Sequence, residues 1–256
     1  MDTHLIFIDL EKAYDSVPLD RLFKTLRKRG INENYIRSIY NIYKNTECVV
    51  KSGQQVSKKI KITKGLKQGC SMSPTLFKIY VQEALNQWCK KCSRMGIEMG
   101  ESNFYTMLFA DDQIILANDE DDITYMMRKL LEELKKWGLQ VNMSKTEYLC
   151  VGTPGTDLVV QEQTIKKIEQ YKYLGSLITQ DGKDDQDIEF RIRQGKTVIQ
   201  QLNGLLWSTK IRLETKKLLF NCIVEPITTY GAKTWTLRRS KDQKIMSSLE
   251  TRTYNQ

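Results

Sequence analysis

The stretch that most restricts the fold is T-M-L-F-A-D-D-Q-I-I-L-A, residues 106–117. Two runs rich in β-formers flank a compact polar centre at Ala110, Asp111, Asp112 and Gln113, which predicts a β-hairpin. Its turn carries adjacent carboxylates, and these repel one another unless something positive sits on them. A divalent cation is the usual remedy, because hard cations such as Mg²⁺ prefer carboxylate oxygen. Aspartate also favours turns on purely local grounds. The pair therefore takes its meaning from what the rest of the chain sets beside it.

A second β segment is L-I-F-I-D-L at residues 5–10. It is almost wholly apolar, as strands buried on both faces are. Asp9 closes it and needs a partner or an exit to solvent, since a buried unpaired carboxylate is costly. Helices are predicted over residues 19–29, with Leu22, Phe23 and Leu26 on one face and Gly30 as a left-handed stop, and over residues 33–44, with Tyr35, Ile36, Ile39, Tyr40 and Tyr43 at helical spacing. Alternation over residues 48–51 and 56–63 predicts a lysine-bearing hairpin about Gly53. K-G-L-K-Q-G-C-S-M-S-P at residues 64–74 is a glycine-bearing loop whose Ser73-Pro74 end starts a helix running to Lys91. Backbone can approach a ligand at Gly65 and Gly69, and the helix start favours anions. The G-K-[ST] ending of a Walker loop is absent.

Acids at residues 119–122 cap a helix over residues 123–136. Extended segments follow at residues 139–142, 146–151, 159–163 and 171–179, then helices at residues 188–206 and 213–224. A boundary near residue 181 separates mixed structure from helices alone, which predicts an α+β domain with a helical appendage.

Charge distribution narrows the function class. The chain carries a net +9. Residues 44–67 hold seven lysines against one glutamate, and residues 111–122 hold six acids and no base. A compact acidic point in a basic chain suits a protein that grips a polyanion and does metal chemistry on it, although a single lysine-rich stretch is also how a solvated face reads. The lone C-K-K-C at residues 89–92 has no second pair, and His4 is the sole histidine. Zinc sites and histidine-based nucleophilic schemes are disfavoured on that count, and His4 reads as structural. No apolar run approaches the ~20 residues needed to span a bilayer. The N-terminal run is too short for a signal peptide. An intracellular setting, nuclear or cytoplasmic, with reduced thiols is expected.

If the hairpin lies beside the first strand, Asp9, Asp111 and Asp112 converge. An oxygen-only donor set suits Mg²⁺ or Mn²⁺. Two such ions roughly 3.5–4 Å apart support phosphoryl or nucleotidyl transfer, and the basic stretches would hold nucleic acid.

These residues carry a resemblance. F-I-D-L-E-K-A-Y-D-S-V-P at residues 7–18, G-L-K-Q-G-C-S-M-S-P at residues 65–74 and F-A-D-D at residues 109–112 resemble the first three palm motifs of reverse transcriptases, the third in the form of non-LTR (LINE-type) retrotransposons. G-L-Q-V-N-M-S-K-T at residues 138–146 resembles the fourth motif, and Y-L-G at residues 173–175 resembles the primer-grip element. Y-G-A-K-T-W at residues 230–235 is similar to a segment beyond the thumb, with Lys233 where that segment usually carries an acid.

The resemblance implies a right-hand polymerase fold, with a palm of antiparallel sheet packed on helices over residues 1–181 and a helical thumb over residues 182–256. It implies RNA-directed DNA polymerase activity on an RNA template and DNA primer with deoxynucleoside triphosphates. Asp9, Asp111 and Asp112 would ligate two Mg²⁺ or Mn²⁺ ions. Tyr14 would gate against a 2′-hydroxyl, or be an ordinary core tyrosine. Gln68, Gly69 and Ala110 would line the incoming nucleotide. Lys145 would donate a proton to pyrophosphate, or simply form a salt bridge. Tyr173, Leu174 and Gly175 would hold the primer end. The family's fingers and endonuclease regions are expected in a larger parent element, since Asp9 stands so near Met1. A catalytically inactive nucleic-acid-binding remnant and a maturase-like RNA-binding protein stay open as other classes.

Overall fold

The computed structural model describes residues 2–236 apart from residues 45, 94 and 154. The first apolar run forms strand β1 (Thr3–Ile8), and the 106–117 stretch forms β2 (Thr106–Phe109) and β3 (Asp112–Ala117). With β4 (Glu147–Val151), β5 (Leu158–Val160) and β6 (Gln163–Lys167) they build one six-stranded sheet in the order β5-β6-β4-β1-β3-β2. β1 pairs antiparallel with β3, from His4 opposite Ala117 to Ile8 opposite Gln113. The sheet is not wholly antiparallel as expected, because β4 and β6 run parallel. The chain must cross from β4 through β5 before returning as β6, and that crossing brings β6 back in β4's direction.

Burial follows strand periodicity. Ile6, Ile8, Ile115 and Ala117 join the main core, while the alternate residues Leu5, Phe7, Ile114 and Leu116 are buried too. Both faces of the central pair are thus covered, as its near-continuous apolar sequence requires. Helices α1 (Ala13–Ser16), α2 (Leu19–Lys28), α3 (Glu33–Lys44), α4 (Ser73–Lys91) and α5 (Glu120–Lys136) surround that core. α4 contributes Phe77, Tyr80 and Trp88 and α5 contributes Met126 and Leu130, all fully or almost fully buried. Asp119 caps α5 by accepting the Asp122 amide proton at 2.7 Å. His4 is buried and shares a 2.6 Å hydrogen bond with the Tyr148 hydroxyl, so it ties β1 to β4.

Two segments read as single strands are hairpins instead. Residues 159–163 turn at Gln161 and Glu162, both at positive φ, between β5 and β6. Residues 171–179 turn at Leu174 and Gly175, giving β7 (Gln170–Tyr173) and β8 (Ser176–Thr179). The lysine-bearing hairpin forms two short paired steps, Glu47 with Lys61 and Lys51 with Val56. Residues 139–142 make only one bridge, Val141 to Leu10.

The chain divides into two compact units, Met1–Cys150 with Gly155–Lys167, and Val151–Pro154 with Ile168–Gln256. The second unit holds the β7–β8 hairpin, α6 (Asp185–Gln201), α7 (Asn203–Leu206) and α8 (Leu213–Leu219). The expected helix 213–224 forms, with its last part, Phe220–Val224, π-helical. Residues 237–256 of the expected helical segment 182–256 lie outside the described residues. No helix of the described residues is long and apolar enough to cross a membrane.

Candidate active site

The register of β1 with β3 does the first positioning. One step beyond the Ile8–Gln113 pair stand Asp9 and Asp112. Phe109 pairs with Asp112, so Ala110 and Asp111 form a two-residue turn. Ala110 has φ 55°, a conformation that costs a non-glycine residue roughly 1–2 kcal/mol. Tight pairing on either side holds it there, and leaves Asp111 in the turn beside Asp112.

The electrostatics register the convergence. Partial burial pushes the Asp112 carboxyl above the ordinary carboxylate range, and the negative fields of Asp111 and then Asp9 push it further. Tyr14 is raised by burial and next by Asp111, so the first and third motifs share one electrostatic neighbourhood. Among the described residues no three His, Cys, Asp or Glu side chains close into a metal-coordinating group. The donor set is nonetheless all carboxylate oxygen, and its mutual repulsion is what a divalent cation relieves. The residues present therefore fit hard cations in chemistry.

The second motif is stitched to the first through backbone. The Gly65 amide donates to Val17 O at 2.9 Å and the Leu66 amide to Tyr14 O at 2.8 Å. Gly65 sits at φ 95°, where a Cβ would lie 2.9 Å from Asp15 O, so only glycine lets the two segments approach. The Gln68 side-chain amide reaches both Asp15 carboxylate oxygens at 3.4 and 3.5 Å. Gly69 is at φ 80° with open space beside it. A cavity of ≈ 260 Å³ opens here, lined among others by Asp15, Lys64, Lys67 and Gln68. The Tyr14 ring stacks on Phe77 of α4, centroids 4.7 Å apart.

The fourth motif closes the other side. The Asn142 amide donates to Asp9 O and the Glu11 amide to Gln140 O, each at 2.8 Å. The turn after Asn142 sets Lys145 Nζ 4.0 Å from Asp9 Oδ2. Asp9, Tyr14, Gln68, Gly69, Ala110, Asp111, Asp112 and Lys145 all belong to the first unit. Tyr173, Leu174 and Gly175 belong to the second, in the β7–β8 turn.

Three participants had no role in the motif reading: Phe77 lies outside the quoted motifs, while Asp15 and Asn142 lie within the first and the fourth. Phe77 supports Tyr14, Asp15 receives Gln68, and Asn142 anchors Asp9. Helical periodicity marks Phe77 only as core. Asn142 carries a local signal, since its backbone oxygen accepts from the Lys145 and Thr146 amides and its side chain from Ser144. That is the habit of an asparagine turn.

Residues 1–178 match the family model described as "Reverse transcriptase (RNA-dependent DNA polymerase)". The chain is 25% identical over 188 residues to the "Retrovirus-related Pol polyprotein from type-2 retrotransposable element R2DM" of Drosophila melanogaster, covering 69% of this chain and 18% of that protein. It is 24% identical over 241 residues to the "RNA-directed DNA polymerase from mobile element jockey" of Drosophila funebris, covering 90% of this chain and 25% of that one. The chain spans about a fifth of the length of the first curated relatives it matches. A telomerase from Candida tropicalis, solved with a TWJ fragment of telomeric RNA, superposes with a TM-score of 0.56 at 17% identity, over 98% of this chain and 43% of that one. The apo enzyme gives 0.53 at 16% identity, over 96% of this chain and 46% of that one. At such identities the likeness is one of fold, and the fold is α+β.

Proposed function

The chain belongs to the reverse transcriptase family, and from that premise we propose that it supplies the palm and thumb of an RNA-directed DNA polymerase of the non-LTR retrotransposon type, over residues 1–181 and 182–256. The observation that carries the reading is the strand register, which sets Asp9 opposite Asp112 with Asp111 in the adjoining turn, although Asp9 and Asp111 lie 102 residues apart in sequence. Turn preference alone gives no reason for it.

Asp9, Asp111 and Asp112 would hold two Mg²⁺ or Mn²⁺ ions. Bound there, such ions supply positive charge to a primer 3′-hydroxyl and to the leaving phosphates. The rest is the work of the chain's own side chains. Tyr14, fixed by its stack on Phe77, excludes a ribose 2′-hydroxyl and so selects deoxynucleotides. Gln68, Gly69 and Ala110 line the nucleotide. Lys145, held beside Asp9, gives a proton to departing pyrophosphate. Tyr173, Leu174 and Gly175 bear on the primer end. RNA template and DNA primer are the partners, drawn by the lysine-rich stretches.

Primer extension on an RNA template with Mg²⁺ and deoxynucleotides tests this. Synthesis that disappears in Asp111→Asn is the expected result. RNA binding that weakens with salt, without any synthesis, would overturn the polymerase reading for this chain and leave a nucleic-acid-binding protein.

A further inference from the structure

The Y-G-A-K-T-W segment has no part in the chemistry above, yet within the second unit it lies on the β7–β8 turn. The Tyr230 hydroxyl donates to Leu174 O at 2.7 Å. The other turn carbonyl, Gly175 O, accepts from Arg191 Nη2 of α6. Both carbonyls of the two-residue turn are therefore held by side chains from outside the hairpin.

Those side chains are themselves fixed. The Arg191 guanidinium lies over the Tyr230 ring, 4.5 Å from its centroid, and Arg191 Nε stands 3.8 Å from Asp187 Oδ1. Asp187 also accepts from the Leu177 amide at 3.1 Å and from Trp235 Nε1 at 3.0 Å. Asp187 and Arg191 are only 2% and 9% exposed. Burying an ion pair is costly unless its hydrogen bonds are made. Those of Asp187 end on the hairpin and on the segment that covers it, and Arg191 Nη2 ends on the turn, while Arg191 Nε has no hydrogen-bond partner among the described residues. Contact is close enough to demand glycine twice. A Cβ on Gly175 would lie 2.9 Å from the Tyr230 ring, and one on Gly231 would lie 2.6 Å from Ser176 Oγ.

We infer that Tyr230, Arg191 and Asp187 are positioning residues for the Leu174–Gly175 turn, fixing the backbone against which a primer 3′ end is set. The inference rests on the reading of residues 173–175 as the primer-binding element. The turn needs this support because Leu174 sits at φ 48°, a conformation a leucine does not keep unaided. Tyr230→Phe removes one hydroxyl and keeps the ring. Asp187→Asn keeps the shape and removes the charge.

The test uses the whole chain. Amide hydrogen exchange at residues 173–177 reads how firmly the turn is held. A recessed RNA–DNA hybrid with 2-aminopurine at the primer 3′ terminus reads where the primer end sits. Tyr230→Phe is expected to speed exchange in the turn by about fivefold, the effect of one lost neutral hydrogen bond. It should also alter the 2-aminopurine signal while exchange along residues 185–201 keeps its wild-type rate. Asp187→Asn should do the same more strongly. Unchanged exchange in the turn in both variants overturns the inference. Faster exchange with an unaltered primer-end signal overturns it as well, and so does an equal rise along residues 185–201, which would make these residues general supports of the fold. A wild-type chain that gives no primer-end signal overturns the polymerase reading, and this inference with it.

Discussion

At the residue scale, geometry gives single side chains distinct jobs. Tyr14 is the sharpest case. It is backed by Phe77 and lies in the field of Asp111. Tyr14→Val should lower the preference for deoxynucleotides over ribonucleotides by about tenfold or more, the scale at which pocket shape discriminates. Competing single-nucleotide incorporation measures it, and an unchanged ratio would return Tyr14 to the core. Ala110 makes a second case. Its φ of 55° is one that glycine adopts freely, so Ala110→Gly should raise stability by up to about 1 kcal/mol, read from the urea midpoint. Both residues were singled out by the resemblance of their motifs to the family's. The roles of Phe77 and Asp15 stayed hidden because their partners are chosen by tertiary contact, and Asn142 showed only its local turn. Asp9 and Asp112 were legible only as a conditional pair, since nothing in either segment states which strand it joins.

At the element scale, helices α2 and α4 are held together by Glu83. It is almost fully buried and takes Lys28 and Arg29 as partners, the latter at 3.0 Å. The Lys28 hydrogen bond and the two positive charges hold its carboxyl below its ordinary value of 4.5, while burial works the other way. A depressed carboxylate stabilises the fold above its unfolded pKa and loses that contribution as pH falls through the folded one. The wild-type chain should therefore lose stability below about pH 4.5 more steeply than Glu83→Gln. That variant should itself cost about 1–2 kcal/mol at neutral pH. Parallel thermal melts across acid pH would show the two curves converging. Ile115→Ala, at the fully buried middle of β3, should cost about 2–5 kcal/mol. Apolar strands and the Asp119-capped start of α5 were plain in the sequence because periodicity and that cap are local. The hairpins at Gln161-Glu162 and Leu174-Gly175 were not, because Gln, Glu and Leu are uncommon choices at positive φ.

At the scale of the whole molecule, the polymerase proposed above would meet RNA–DNA hybrid with a net charge of +9, and that binding should fall steeply with salt. If on the order of six phosphates are neutralised, affinity should drop about a thousandfold between 50 and 200 mM salt. Fluorescence anisotropy over that range would measure it, and a flat response would remove the lysine-rich stretches from the interface. β1 raises a different matter, one of time. It occupies an interior place in the sheet and is made long before its partner β3, which ends at Ala117. At roughly 5–20 residues per second on a ribosome, this strand waits about 5–20 s after synthesis for that partner. Through that interval a run of Leu, Ile and Phe is without its native cover, in a form that invites pairing with another chain. The strand that carries the first aspartate to the site is therefore the one whose delay leaves a nascent chain most open to aggregation, and its yield in the cell should depend on chaperones that cover it before the hairpin arrives.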